Sequence, residues 1–182
     1  MSSFRSDCSS CCGLCCVVPD LLAVQGFRVD KAAETPCVHL NALHHCSIHA
    51  TRAIHGYAVC EIFDCFGAGQ WITQRLFGGA KWTDSPDIAH QMFAAYRHWV
   101  PRFEAAALLE ASLPHVRDEA IGMITERIKA LTTAATQICQ TDARRLRSHT
   151  LAMIRSALRA DATGALATTA VARVVRTDFG VG

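Results

Sequence analysis

Cys8-Ser9-Ser10-Cys11-Cys12-Gly13-Leu14-Cys15-Cys16 puts five cysteines into nine consecutive positions. Cys37, Cys46, Cys60 and Cys65 follow, and the remaining 117 residues contain only Cys139. Thiols this crowded either cross-link to one another or hold a metal. The N-terminus, MSSFRSDCSS, has no apolar core of signal-peptide length, which predicts a cytoplasmic protein. In a reducing compartment a disulfide framework does not persist, and clustered cysteines read as metal ligands ahead of redox groups or packing residues. Metal binding is the expected chemistry.

Bulk properties narrow the rest. A chain of 182 residues is one domain, or one small domain with an appendage. Its hydrophobic fraction of 51% is enough for a core, and no run of ~18 apolar residues predicts a membrane span. Net charge is +2 but uneven: residues 1–140 sum to −2, whereas residues 141–182 carry seven Arg against three Asp. A basic C-terminal end can attract an acidic protein surface or nucleic acid. A solvated helix face explains it more simply.

Composition divides the chain near residue 82. Residues 1–82 hold nine cysteines, seven of the eleven glycines, and the histidines His39, His44, His45, His49 and His55. A unit of that size with so little periodic pattern buries little apolar surface and needs a staple, which a metal supplies. Residues 83–162 read as helices. Ser85 and Pro86 offer an N-cap and a first helical residue. Ile88, Met92, Phe93, Tyr96, Val100, Phe103 and Ala107 then share one face. Pro101 is expected to kink or break that helix at Val100. Pro114 precedes a second run from Val116 to Ile138, and Thr141-Asp142 can cap a third helix carrying Leu146, Leu151, Ile154 and Leu158. The prediction is a mainly α protein, with an irregular cysteine-rich N-terminal domain and a C-terminal antiparallel helical bundle. Residues 163–182 read as a weakly structured tail. Cys139 reads as a small buried hydrophobe.

Cys12-Gly13-Leu14-Cys15 is a C-x-x-C turn in which Gly13 permits the positive φ that such knuckles use. Cys60-x4-Cys65 is a second close pair, and Cys46-Ser47-Ile48-His49 sets an imidazole three residues after a thiol. The candidate ligands are therefore Cys12, Cys15, Cys16, Cys37, Cys46, His49, Cys60 and Cys65, with Cys8 and Cys11 as spares. These are too many for one ion. One centre with spare thiols is preferred over two, although vicinal side chains such as Cys15 and Cys16 diverge. Tetrahedral sulfur sites select zinc or iron–sulfur, and the excess of thiolate over imidazole favours iron–sulfur. Asp64 is expected to accept N–H bonds that shape its loop, and Arg52 to offset thiolate charge or pair with Asp64. Gly67-Ala68-Gly69 lacks the remaining features of a nucleotide loop and reads as a turn packed against the metal site.

The order Cys12-x-x-Cys15-Cys16, Cys37-x8-Cys46-x-Ile48-His49-x-x-Arg52, Cys60-x-x-Phe63-Asp64-Cys65 resembles the YkgJ-type cysteine-cluster family. That resemblance implies a zinc- or iron-chelating domain over roughly residues 8–82. Ala53 stands where the family pattern has Pro, and the spacer to Cys60 is longer. The block Asp64-Cys65-Phe66-Gly67-Ala68-Gly69-Gln70 is similar to a bacterial variant that often precedes pentapeptide repeats; a helical segment follows here instead.

Two further readings belong to other classes. In one the same centre serves a metalloenzyme, with His49 or His45 near an open coordination position. In the other Arg144, Arg145, Arg147, Arg155 and Arg159 dock an acidic partner or nucleic acid. A protein partner through the helical half is expected ahead of nucleic acid, and no membrane.

Overall fold

Apolar side chains in the cysteine-rich segment have no partners of their own periodicity, so they bury against the first long helix of the chain. The computed structural model describes residues 4–133 and 142–158. Cys139, Arg159 and the expected tail at 163–182 lie outside the described residues.

Residues 4–57 run through short 3₁₀ turns, including Cys8–Ser10, Leu14–Cys16 and His49–Thr51. Two short helices follow, α1 (Ala58–Ile62) and α2 (Ala68–Trp71), the second continuing into a π-helical turn at Ile72–Leu76. Three longer helices complete the described chain: α3 (Pro86–Ser112), α4 (Asp118–Thr132) and α5 (Ala143–Ala157). The fold is mainly helical, as the sequence predicts, and α3 packs against both α4 and α5.

The caps are where the sequence puts them. Ser85 Oγ accepts from the Ile88 N–H at 3.2 Å with Pro86 opening the helix, and Asp142 Oδ1 accepts from the Arg145 N–H at 2.9 Å. Pro101 corrects an expectation: α3 continues through it to Ser112. A proline costs one backbone bond and a steric clash, but aromatic packing bridges the position. Trp99 and Phe103 are buried on either side of it, and Trp71 stacks on Trp99 at 4.5 Å between ring centroids.

Helix α3 is shared by two cores. Its first half buries Met92, Phe93, Tyr96 and Trp99 against Cys12, Leu14, Val17, Val18, Ala68 and Ile72 of the cysteine-rich segment. Its second half, from Ala105 to Leu109, packs with Val116 just before α4, with Ala120, Ile124 and Leu131 of α4 and with Ile154 and Ala157 of α5. Val116 pairs in an antiparallel bridge with Leu158, and the Arg117 N–H donates to Ala157 O at 2.9 Å, tying the start of α4 to the end of α5. A third, smaller cluster of Phe27, Tyr57 and Val59 holds the loops between residues 21 and 60.

Among the described residues, no helix is long and apolar enough to cross a membrane.

Candidate metal centre

The knuckle is built on glycine. Gly13 has φ +72°, and a Cβ there would stand 2.8 Å from His44 O, so only glycine fits both the left-handed backbone and the close approach. The Leu14–Cys16 turn that follows sends Leu14 into the core while its two cysteines remain half-buried.

Nine cysteines among the described residues are free thiols. Cys8, Cys11, Cys15 and Cys65 line one cavity of about 20 Å³, together with Ser6, Gly69 and Tyr96. Gly69 matters to its shape: a Cβ there would lie 2.9 Å from Cys11 Sγ and 3.5 Å from Cys65 Sγ. The glycines of the Asp64–Gln70 block therefore let the backbone of α2 close against two sulfurs. Gln70 holds the other wall. Its Nε2 donates to Arg5 O at 2.9 Å and its Oε1 accepts from the Asp7 N–H at 2.5 Å, so the N-terminal segment is pinned over α2. Ser6 Oγ sits 3.0 Å from Cys65 Sγ and donates to Asp64 Oδ1 at 2.5 Å. Asp64 also accepts from the Phe66 N–H at 2.7 Å, shaping its loop as expected of it.

Cys16, Cys37, Cys46 and Cys60 gather on the other side of the 3₁₀ turn. The Cys16 thiol interacts electrostatically with those of Cys15 and Cys46. The Cys37 N–H donates to Cys16 O at 2.8 Å, and Cys37 and Cys60 pack beside the Phe27–Tyr57–Val59 cluster. Cys60 is within electrostatic reach of Cys15, Cys37 and Cys46.

Cys12 stands apart. Its side chain is 2% exposed, with Sγ 3.4 Å from Thr73 Oγ1 and 4.0 Å from Met92 Sδ. The two C-x-x-C registers of the run, Cys8/Cys11 and Cys12/Cys15, are thus resolved with Cys12 in the core and with Cys8 and Cys11 at the cavity, where the sequence placed spares. His49 is exposed beside Cys46, its backbone N–H donating to Cys46 O at 3.2 Å. His44 bonds Thr83 Oγ1 at 3.2 Å, and His39 bonds the Tyr57 hydroxyl at 3.1 Å. Of the arginines on α5, Arg147 pairs with Glu104 of α3 at 3.5 Å, while Arg144, Arg145 and Arg155 are exposed.

Electrostatics follow the crowding of the thiols. Interaction among the three thiols raises the pKa of Cys16, lowers that of Cys15 and brings Cys46 down to about 6. Burial pushes Cys11 up to about 12 and Cys60 up to about 11. The Arg52 guanidinium favours the thiolates of Cys8, Cys15, Cys46 and Cys60, and its Nε is buried with no hydrogen-bond partner among the described residues. Burial also raises the Tyr96 hydroxyl, which faces the same sulfurs. Tyr96 and Lys31 escape a sequence reading: one looks like a core aromatic on a helix stripe, the other like any loop lysine.

Among the described residues, no three Cys, His, Asp or Glu side chains already converge as a ligand set. The donor chemistry nevertheless fits a thiophilic metal. Four thiols line one cavity, four more lie within electrostatic reach of Cys15, Gly69 lets the backbone approach two of the sulfurs closely, and a cation lies within reach of four.

Fold and site together define a mainly helical protein whose cysteine-rich N-terminal segment gathers thiols against its longest helix. The chain is similar to the uncharacterized protein YybG of Bacillus subtilis (strain 168), with 40% identity over 91 residues, which is 50% of this chain and 33% of that protein. The match thus spans about a third of the length of its curated relative. No family model matches the chain, and no solved structure matches it.

Proposed function

We propose that the protein is a thiolate metalloprotein whose N-terminal cysteines hold zinc or an iron–sulfur centre, with Cys8 and Cys11 joining Cys15, Cys16, Cys37, Cys46, Cys60 and Cys65 as its donors. The observation that carries this reading is the cavity shared by Cys8, Cys11, Cys15 and Cys65 under the Gly69 cradle. These cysteines come from separate stretches of chain, which disulfide-free packing alone gives little reason to assemble. Loops with only three buried side chains in their own cluster gain folding free energy from such a centre. Both candidate groups accept four thiolates: zinc as a closed tetrahedral ion, iron–sulfur as a cluster with inorganic sulfide.

The test is metal and acid-labile sulfide analysis, with a visible spectrum, on full-length protein purified without oxygen or added metal. Iron with sulfide and a brown colour makes this an iron–sulfur protein. Colourless protein containing zinc makes the site a fold staple. Protein free of metal, and unable to take up either on reconstitution, overturns the proposal.

A further inference from the structure

We infer that the thiols form two separate centres rather than one, each for a single thiophilic divalent ion: Cys8, Cys11, Cys15 and Cys65 in the first, and Cys16, Cys37, Cys46 and Cys60 in the second. The inference rests on the metal-binding reading above and adds to it the number of ions and the division of ligands.

Four observations support the division. First, Leu14–Cys16 is a 3₁₀ turn, in which successive side chains project about 120° apart. With Leu14 fixed in the core at 0% exposure, Cys15 and Cys16 leave the backbone in different directions. Second, the groups belong to different apolar clusters. Cys11, Cys15 and Cys65 pack on the core built with α3, while Cys37 and Cys60 pack on Phe27, Tyr57 and Val59. Third, the backbone ties Cys16 to the second group, its carbonyl accepting from the Cys37 N–H at 2.8 Å. Fourth, the first cavity measures about 20 Å³. That is close to the space of one water-sized sphere, so it suits one ion and is cramped for a cluster of metal and sulfide.

The cations are placed to match. Arg52 favours the thiolates of Cys8 and Cys15 of the first group and of Cys46 and Cys60 of the second, so its charge serves both. Lys31 lies within electrostatic reach of Cys37, Cys16 and Cys60 of the second group. Filling each site replaces the protons of four thiols by one divalent ion and releases those protons to solvent, leaving a dianionic centre. Two such dianions side by side repel, and an arginine within reach of both offsets part of that repulsion. Cys15 is the thiol nearest the boundary, within electrostatic reach of Cys16, Cys46 and Cys60 of the second group.

Cadmium-113 is the probe, titrated into reduced full-length protein and followed by its own NMR signal. Wild type is expected to take up about two equivalents and show two resonances, both in the range of four-sulfur coordination. Cys65→Ser should displace or abolish one resonance and leave the other; Cys60→Ser should do the reverse. Gly69→Ala tests the same division without removing a ligand. Its backbone is helical, so alanine is tolerated there, and the added methyl presses on Cys11 Sγ and touches Cys65 Sγ. It should therefore shift only the resonance that Cys65→Ser removes. A single equivalent lost with either cysteine variant overturns the two-centre division while keeping the metal reading. Cadmium–cadmium splitting, the mark of a bridging sulfur, overturns the separation in the same way. Failure to bind cadmium at all overturns both.

Discussion

Lys31 shows how a single side chain can organise a loop that has no secondary structure. The residue is 7% exposed, and its three ammonium protons are shared among four backbone carbonyls: Val17 at 3.1 Å, Pro19 at 2.6 Å, Ala32 at 3.1 Å and Thr35 at 2.9 Å. An antiparallel bridge between Leu21 and Lys31 closes the same loop from the backbone side. Burial lowers the lysine's pKa, yet the nearby thiols of Cys37 and Cys16 pull it back up, so the charge is held by carbonyl dipoles and sulfur together. Lys31→Met keeps the aliphatic stem and leaves those carbonyls without their donor. It is expected to destabilise the protein by roughly 2 kcal/mol, given the cost of buried acceptors left unmade and partial recovery by water. Urea unfolding of the two proteins measures it, and an unchanged midpoint would remove the ammonium from the list of supports. Nothing in the sequence around Lys31 announces this role, because the four carbonyls belong to positions whose identity is irrelevant to the bond.

At the scale of elements, the helical half was legible and the cysteine half was only partly so. Ser85-Pro86, Asp142 and the spacing of Met92, Phe93, Tyr96 and Phe103 specify α3 and α5 through local rules, and those rules hold. Gly13 was readable too, because a C-x-x-C knuckle needs a left-handed residue. The choice of Cys11 over Cys12 for the cavity was not, since both lie in C-x-x-C pairs. What decides it is contact with Thr73 and Met92, which are 61 and 80 positions away along the chain. Pro101 fails as a breaker for the same reason: local propensity loses to aromatic packing from α2. The balance gives a prediction. Pro101→Ala restores a helical N–H and removes the ring clash, worth ~3 kcal/mol in a helix interior. It also loosens the unfolded chain, a loss of up to about 1 kcal/mol. The variant should be more stable by roughly 2 kcal/mol, read as a higher thermal midpoint with unchanged metal content. A lower midpoint would mean that the ring itself fills part of the α3 packing.

For the whole molecule, the decisive relation is between two cores that share α3 and differ in what holds them. The core of α3, α4 and α5 contains no cysteine among the described residues, so helix packing alone supports it. The other core takes Cys12, Leu14, Val17 and Val18 from a segment whose path is set by the turns around the thiols. Removing a bound metal should therefore act unequally. With their sulfurs released, the loops between residues 19 and 65 keep only the small Phe27–Tyr57–Val59 cluster and the Lys31 bonds, too little apolar burial to offset chain entropy over that length. Helices α3 to α5 keep their own core. Tryptophan reports the difference directly, because Trp82 Nε1 donates to Cys12 O at 3.0 Å and Trp71 packs on the core that holds Cys12, Leu14 and Trp99. Treating reduced protein with a strong chelator should shift tryptophan emission to the red while most of the far-ultraviolet helical signal remains. Re-adding the metal should reverse the shift. Simultaneous loss of both signals would show that the two cores unfold as one unit through α3. Loss of metal with neither signal changed would show that the cysteine-rich segment is folded by its apolar contacts and carries the ion as a passenger.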